Sequence, residues 1–288
     1  MEFLRPTTWA EALAAKAAHP EARPIAGGTD VMVELNFDMD RPTALLDLTA
    51  ISELATWHRT GDHLRIGATV PYTRIIEELG DALPGLAIAS RTVGSPQIRN
   101  RGTVGGNLGS ASPAGDAHPP LLAGDATVEV ESVRGGRAIA IAEFFVKPKV
   151  SALEPDELIR AVRVARADGP QQFAKIGTRN AMVIAVCSFA LALHPSRGRA
   201  GTGIGSAAPI PLRARDAEDF LSAELDWAGR GPLDDRVSRR FGELVAAAAG
   251  PIDDVRGTAS YRRHALAVMA RRTLSWAWTE LRGASVCA

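Results

Sequence analysis

Residues 103–116 read TVGGNLGSASPAGD: four glycines, two serines, a threonine, an asparagine and a closing aspartate, with only Val104 and Leu108 as sizeable apolar side chains. Glycine admits positive φ and lets the atoms of another molecule approach the backbone closely. Hydroxyl and N–H groups along so bare a chain form a concave array of donors that suits phosphate. The same residue types also build ordinary surface turns. Taken alone, the stretch leaves a phosphate-binding loop and a surface loop both open.

A second stretch points the same way. Residues 24–32, PIAGGTDVM, close an apolar strand on Gly27-Gly28-Thr29-Asp30. Glycine again permits close approach, the hydroxyl and main-chain N–H groups suit phosphate, and the carboxylate suits a sugar hydroxyl. Neither stretch is the G-x-G-x-x-G fingerprint of a dinucleotide-binding Rossmann turn, nor the G-x-x-x-x-G-K-[ST] of a P-loop. Two such loops in separate α/β units suit a long diphosphate ligand lying between the units, where ligand clefts commonly form.

The bulk properties narrow the classes. At 288 residues and 46% hydrophobic, the chain can bury one large core or two medium ones. Thirty-three basic residues balance 33 acidic ones, so no global field draws nucleic acid or anionic lipid. The two cysteines, Cys187 and Cys287, fall short of the roughly four an iron–sulfur cluster needs and make no disulfide scaffold. The six histidines show no HxxxH or HExxH spacing, so they read as surface or packing residues and no metal site is expected. The first residues lack the basic leader and apolar run of a signal peptide. The longest apolar run, residues 181–193, is shorter than the roughly 20 residues of a membrane helix. The expectation is a soluble cytoplasmic protein without membrane insertion.

Along the chain, Thr8 and Glu11 form a capping box that opens a helix ending before Pro20. Apolar strands follow at 23–26 and 44–49. Residues 63–70 alternate as a strand, and Pro71 suits the first turn of a helix over 72–79. Another helix over 85–93 leads to the quoted stretch. Residues 126–133 and 137–145 read as a β-hairpin across Gly135-Gly136, and 156–164 as a strand. ARADGP (165–170) reads as a linker. FAKIGTRN, VIAVCSFALAL and GTGIGSAAP then suggest an antiparallel sheet, and the chain turns helical from about 214. Over 261–283, Leu266, Ala270, Leu274, Ala277 and Leu281 form a core-facing stripe. Arg262, Arg263, Arg271 and Arg272 of that helix read as a solvated face or partner contact.

AGGTD followed by QIRNRGTVGGNLGSASPAGDAHPPLLAGDA resembles the FAD-binding medium subunit of the molybdenum hydroxylases, the xanthine dehydrogenase and carbon monoxide dehydrogenase family. FAKIGTRNAMVIAV, GIGSAAPIPLRA and DDVRGTASYRRHALAVMARR resemble its C-terminal domain in the right order, so the resemblance covers nearly the whole chain. It implies an α+β fold. An FAD-binding domain over residues 1–165 has two α/β subdomains of p-cresol methylhydroxylase type, about 1–54 and 55–165. A smaller C-terminal domain with an antiparallel sheet and helices follows over 166–288.

By the same resemblance, Ile25, Ala26, Gly27, Gly28, Thr29, Asp30 and Val31 form the first diphosphate loop, and Thr103, Val104, Gly105, Gly106 and Asn107 the second. Ser112 and Asp116 reach the sugar-like parts of the flavin. Ile159 makes an apolar contact, Lys175 tunes the ring electrostatically and Phe173 sits close to it. No covalent flavin link is implied, and His118 is read as lining its turn. Two departures stand out. Val93 to Pro96 occupy the place of an aromatic contact in the animal enzymes, and Asn180, Ala181 and Met182 occupy the place of acidic residues near their nicotinamide site.

The implied function is electron transfer. The chain would take electrons from 2Fe-2S clusters of a small partner subunit and pass them to NAD, oxygen or another carrier. The molybdopterin cofactor would sit on a large partner subunit, in a dimer of heterotrimers. The alternative is a stand-alone flavoprotein reductase or oxidase of the related fold.

Overall fold

A computed structural model describes residues 1–283. Cys287 lies outside the described residues. The first fifty residues form β1 (Glu2–Leu4), α1 (Trp9–Ala18), β2 (Arg23–Ile25), α2 (Val31–Asn36) and β3 (Ala44–Asp47). The capping box at Thr8 and Glu11 is made in full. The strands pair in parallel in the order β1-β3-β2. Trp9, Ala12 and Leu13 of α1 pack with Leu46, Leu48, Ile51 and Leu54 in a core of their own. The apolar segment after Gly27-Gly28 is the helix α2, which has no buried residue.

The second unit holds β4 (Trp57–Thr60), β5 (His63–Gly67), α3 (Tyr72–Glu78), α4 (Pro84–Arg91), α5 (Pro96–Arg101), α6 (Val104–Ser110), α7 (His118–Ala123), β6 (Thr127–Ser132) and β7 (Gly135–Ala140). After them come the helical turn α8 (Ile141–Phe144), the short hairpin β8 (Phe145–Lys147) and β9 (Val150–Ser151), and β10 (Leu158–Ala165). The expected hairpin forms, although its second strand ends at Ala140. Its sheet runs β4-β5-β10-β6-β7, antiparallel throughout.

The quoted stretch corrects the reading of a loop. Residues 104–110 are helical despite three glycines, each costing about 1 kcal/mol against alanine in a helix. Two things offset that cost. The Thr103 hydroxyl accepts from the Gly106 N–H at 2.9 Å, a side-chain N-cap, and Val104 and Leu108 are buried in the main core.

The third unit is β11 (Gln171–Ile176), β12 (Cys187–His194) and β13 (Arg199–Gly205), antiparallel in that order, followed by α9 (Arg215–Glu224), α10 (Asp235–Ala248) and α11 (Ala259–Leu281). Every residue of β12 is buried. Phe189, Leu191 and Leu193 join the core with Phe241, Leu266, Leu274 and Trp278. The α7 backbone packs directly on β13. A Cβ on Gly201 would stand 2.1 Å from the Ala123 carbonyl oxygen, and one on Gly203 would stand 2.0 Å from that of Pro119.

Two further expectations are corrected. Residues 165–170 are pinned: the Arg166 and Ala167 N–H groups donate to the carbonyls of Asp62 and Ala82, and Asp168 meets His194. Arg262 is 3% exposed, donating to the Ser206 carbonyl at 2.7 Å and pairing with Asp254 at 2.5 Å. Burying a guanidinium needs matched donors, which these acceptors supply at both terminal nitrogens, although its Nε–H has no partner. Leu266, Ala270, Leu274 and Ala277 form the expected buried stripe, with Leu281 at its half-buried end.

Candidate functional site

A cleft of about 470 Å³ lies between the first two units. One wall is the turn after β2, Ile25 through Val31. The facing wall is Thr103, Gly105, Gly106 and Asn107, with Ile159 of β10 closing the floor. The structure therefore brings most of the expected residues to one place. Val104 points away into the core. Ser112, Asp116 and Lys175 do not line the cleft but cluster beside it.

The two walls touch where glycine allows it. A Cβ on Gly27 would stand 1.8 Å from the Arg101 carbonyl oxygen, and one on Gly105 would stand 2.4 Å from that of Ala68. These glycines serve the packing of wall on wall. Gly28 turns at φ +76°, which an L side chain adopts only with strain. At Gly106 the sole neighbour of an added Cβ within 4 Å would be the Thr103 hydroxyl at 3.1 Å, so its face is open to the cleft.

The walls differ in donors. In the second, the N–H groups of Gly105, Gly106 and Asn107 are taken by the Ala68 carbonyl, the Thr103 hydroxyl and the Thr103 carbonyl. In the first, among the described residues, the N–H groups of Gly27, Gly28, Thr29 and Asp30 have no partner within the chain. A row of unspent N–H groups on a turn is an anion-binding surface.

Charges frame the cleft. Asp30 stands at its rim, where enclosure pushes its carboxyl above the usual range while the Ser110 hydroxyl pulls it back. Glu34 of α2 pairs with Arg23 at 2.9 Å and with Lys149 of the β8–β9 turn at 3.2 Å, tying the two units together. At the other end Lys16 donates to the carbonyls of Pro20 and Ala22, at 2.6 and 2.8 Å, and burial lowers its pKa. Among the described residues no cluster of His, Cys, Asp and Glu could hold a metal ion.

Beside the cleft, Lys175 of β11 donates to Asp116 at 2.6 Å and to the Thr92 carbonyl at 3.2 Å, joining the third unit to the second. Burial pushes the Asp116 carboxyl up to about 6, with the Lys175 ammonium offsetting part of that rise. The second carboxylate oxygen of Asp116 is buried without a partner. Ser112 accepts from the Ala114 N–H and shapes the turn before Asp116. His118 is fully buried against Phe145, its Nε2–H donating to the Asn107 carbonyl at 3.2 Å. Burial lowers His118 to about 4, so it is neutral. Phe173 packs with Ala89, Ala123, Ala190 and Ala192 in a small core, away from the cleft.

Several lining residues escape a reading of the sequence. Thr69, Tyr72, Ile98 and Leu153 all line the cleft, as does Val93. Tyr72 sits in a stretch read only as a helix, and Ile98 in QIRNR, which carries the family resemblance with no role of its own. Lys16 lies in the stretch read as the first helix, with no role of its own.

Residues 1–166 match the FAD-binding domain of molybdopterin dehydrogenases, and residues 172–277 match the C-terminal domain of the CO dehydrogenase flavoprotein. The chain belongs to this family. It is 30% identical to the xanthine dehydrogenase FAD-binding subunit of Escherichia coli O157:H7 over 286 residues, 95% of this chain and 94% of that one. It is 33% identical to the nicotinate dehydrogenase FAD-subunit of Eubacterium barkeri over 233 residues, 76% and 79% of the two chains. Among solved structures, a chain of carbon monoxide dehydrogenase from Hydrogenophaga pseudoflava superposes with a TM-score of 0.90 at 26% identity, covering 98% of both chains. One from Oligotropha carboxidovorans superposes at 0.88 and 28% identity, covering 97% and 98%.

The protein is thus an oxidoreductase flavin subunit with an FAD-binding domain, and its α+β fold is that of the carbon monoxide dehydrogenase medium subunit. The cleft fits the cofactor. Unspent N–H groups lie on the turn that lines it, Gly106 leaves space that a side chain would fill, and Tyr72 holds a buried hydroxyl without a partner.

Proposed function

We propose that this chain carries FAD in the cleft between its first two units and relays electrons within a heteromeric molybdenum hydroxylase. The observation that carries the reading is the row of unpartnered N–H groups from Gly27 to Asp30, facing the glycine wall at Gly105 and Gly106. When bound, FAD supplies the redox chemistry, accepting electrons singly and releasing them as a pair. The residues of this chain bind and shield. Gly27 to Asp30 hold the diphosphate, Gly106 and Asn107 bound it from the other wall, and Ile159, Val93 and Ile98 supply apolar surface. The Glu34–Lys149 pair bridges the two units. Lys175, paired with Asp116 beside the cofactor pocket, would tune the flavin ring electrostatically.

The division that follows is a cofactor-binding domain to residue 165 and a docked C-terminal domain from 166. Electrons would arrive from 2Fe-2S clusters on a small subunit and leave to NAD, oxygen or another carrier. A large subunit would carry the molybdopterin cofactor, in a dimer of heterotrimers in the cytoplasm. Relatives described as a nicotine 6-hydroxylase medium subunit and a glyceraldehyde dehydrogenase medium chain support a multi-subunit assembly. No helix among the described residues is long and apolar enough to cross a membrane.

Native mass spectrometry of the tagged chain from its own host tests this. One FAD per chain with two further subunits, one holding iron–sulfur clusters and one a molybdopterin, is the expected result. A lone chain with FAD would instead establish a stand-alone flavoprotein.

A further inference from the structure

Tyr72 stands at the first position of α3, with its ring against Gly102 and its side chain on the cleft. It is 2% exposed, and its hydroxyl has no hydrogen-bond partner. A phenol buried in this way forfeits its bonds to water and gains nothing in return. Phenylalanine would fill the same space among Val70, Ile75 and Val104 without that cost. Everything else about the residue is well provided for: its N–H donates to the Gly102 carbonyl at 3.0 Å, and the neighbouring Pro71 bridges to Thr103. Burial, and after it the nearby charges of Asp116 and Asp30, hold the hydroxyl in its protonated, donating form. It therefore sits between the two walls of the cleft and offers one O–H to an acceptor the chain does not contain.

We propose that Tyr72 is a cofactor-binding residue whose hydroxyl donates to an oxygen of the bound FAD, on the diphosphate or the adjoining ribityl chain. This rests on the reading of the cleft as the FAD site. The role differs from that of the glycine turns. The Gly27 to Asp30 turn supplies main-chain donors, whereas Tyr72 adds a single side-chain donor, set by the packing of α3 on Gly102.

The test exploits two effects of opposite sign. The full chain is freed of flavin and titrated with FAD while its fluorescence is followed, and the flavin-free chain is melted. For Tyr72→Phe the dissociation constant for FAD should rise about 5- to 10-fold. The flavin-free melt should be unchanged or about 2 to 4 °C higher, because an unsatisfied buried group has gone. Competition by ADP separates the two acceptors. Equal weakening of ADP puts the oxygen on the diphosphate, and unchanged ADP affinity puts it on the ribityl chain. A dissociation constant within twofold of wild type overturns the proposal. So does a flavin-free melt that falls together with affinity, which is the mark of a packing residue. A wild-type chain that takes up no FAD overturns the reading of the cleft itself.

Discussion

Two glycine-to-alanine changes, one on each wall of the cleft, should have opposite consequences. In Gly27→Ala the new Cβ would lie 1.8 Å from the Arg101 carbonyl oxygen. An ordinary carbon–oxygen contact is about 3.3 Å, so the first wall must retreat by about 1.5 Å. Backbone cannot swing aside as a side chain does, and overpacking of this kind costs about 1–3 kcal/mol. At about 2 kcal/mol the flavin-free chain should melt about 4 to 8 °C lower. In Gly106→Ala the Cβ meets only the Thr103 hydroxyl, at 3.1 Å. Alanine gains about 1 kcal/mol of helix propensity in α6, and crowding of the Thr103 cap costs about as much. The flavin-free melt should therefore move by no more than about 2 °C. That Cβ projects into the cleft, so FAD affinity should fall at least about tenfold. The assay is a melt of each flavin-free variant and an FAD fluorescence titration. A Gly106→Ala chain that binds FAD like wild type would refute the placement of the cofactor, and an unshifted Gly27→Ala melt would refute the packing argument.

Asp116 sets a pH dependence whose sign decides whether burial or pairing dominates. Its folded pKa of about 6 lies above the ordinary carboxylate value of 3.8, so the folded state takes up its proton first as pH falls. Urea unfolding of wild type against Asp116→Asn should show wild type gaining relative stability from pH 7 to pH 4, whereas a relative loss would show that Lys175 prevails. Arg262→Met should cost about 3 kcal/mol, because it strands the Ser206 carbonyl and half-frees Asp254, and it is checked by the denaturant midpoint. Cys187 is buried, with its thiol pushed up to about 12. Peptide mapping after iodoacetamide treatment should find Cys187 unlabelled in the native protein and labelled in urea.

Much of the architecture is legible in local chemistry. Thr8 and Glu11 mark a helix start because a capping box is made within four residues. The β11–β13 sheet and the α11 stripe are legible because an apolar period does not depend on distant partners. The α6 helix is not legible, because TVGGNLGSASPAGD has the composition of a loop. Its helicity comes from the Thr103 cap and from Val104 and Leu108 finding a core supplied by β5, β6 and β10. Arg262 is misread for the same reason: helical spacing shows which face it is on, but not that Ser206 and Asp254 wait on that face.

By itself, the order of the chain determined that two glycine-rich stretches ending in carboxylates belong to separate α/β units, and with it the family. Which donors remain for a ligand was decided only by tertiary structure. The N–H groups of the second wall are spent on Thr103 and Ala68, while those from Gly27 to Asp30 are not, and no composition distinguishes the two. The same holds for Tyr72, an ordinary helix residue in sequence. It becomes an unsatisfied donor because folding buries it where the chain offers no acceptor. A hydrogen bond needs its partner within about 3 Å; Thr103 supplies that locally to Gly106 and Asn107, but Gly105 meets Ala68, and Tyr72 misses any acceptor, only through the fold.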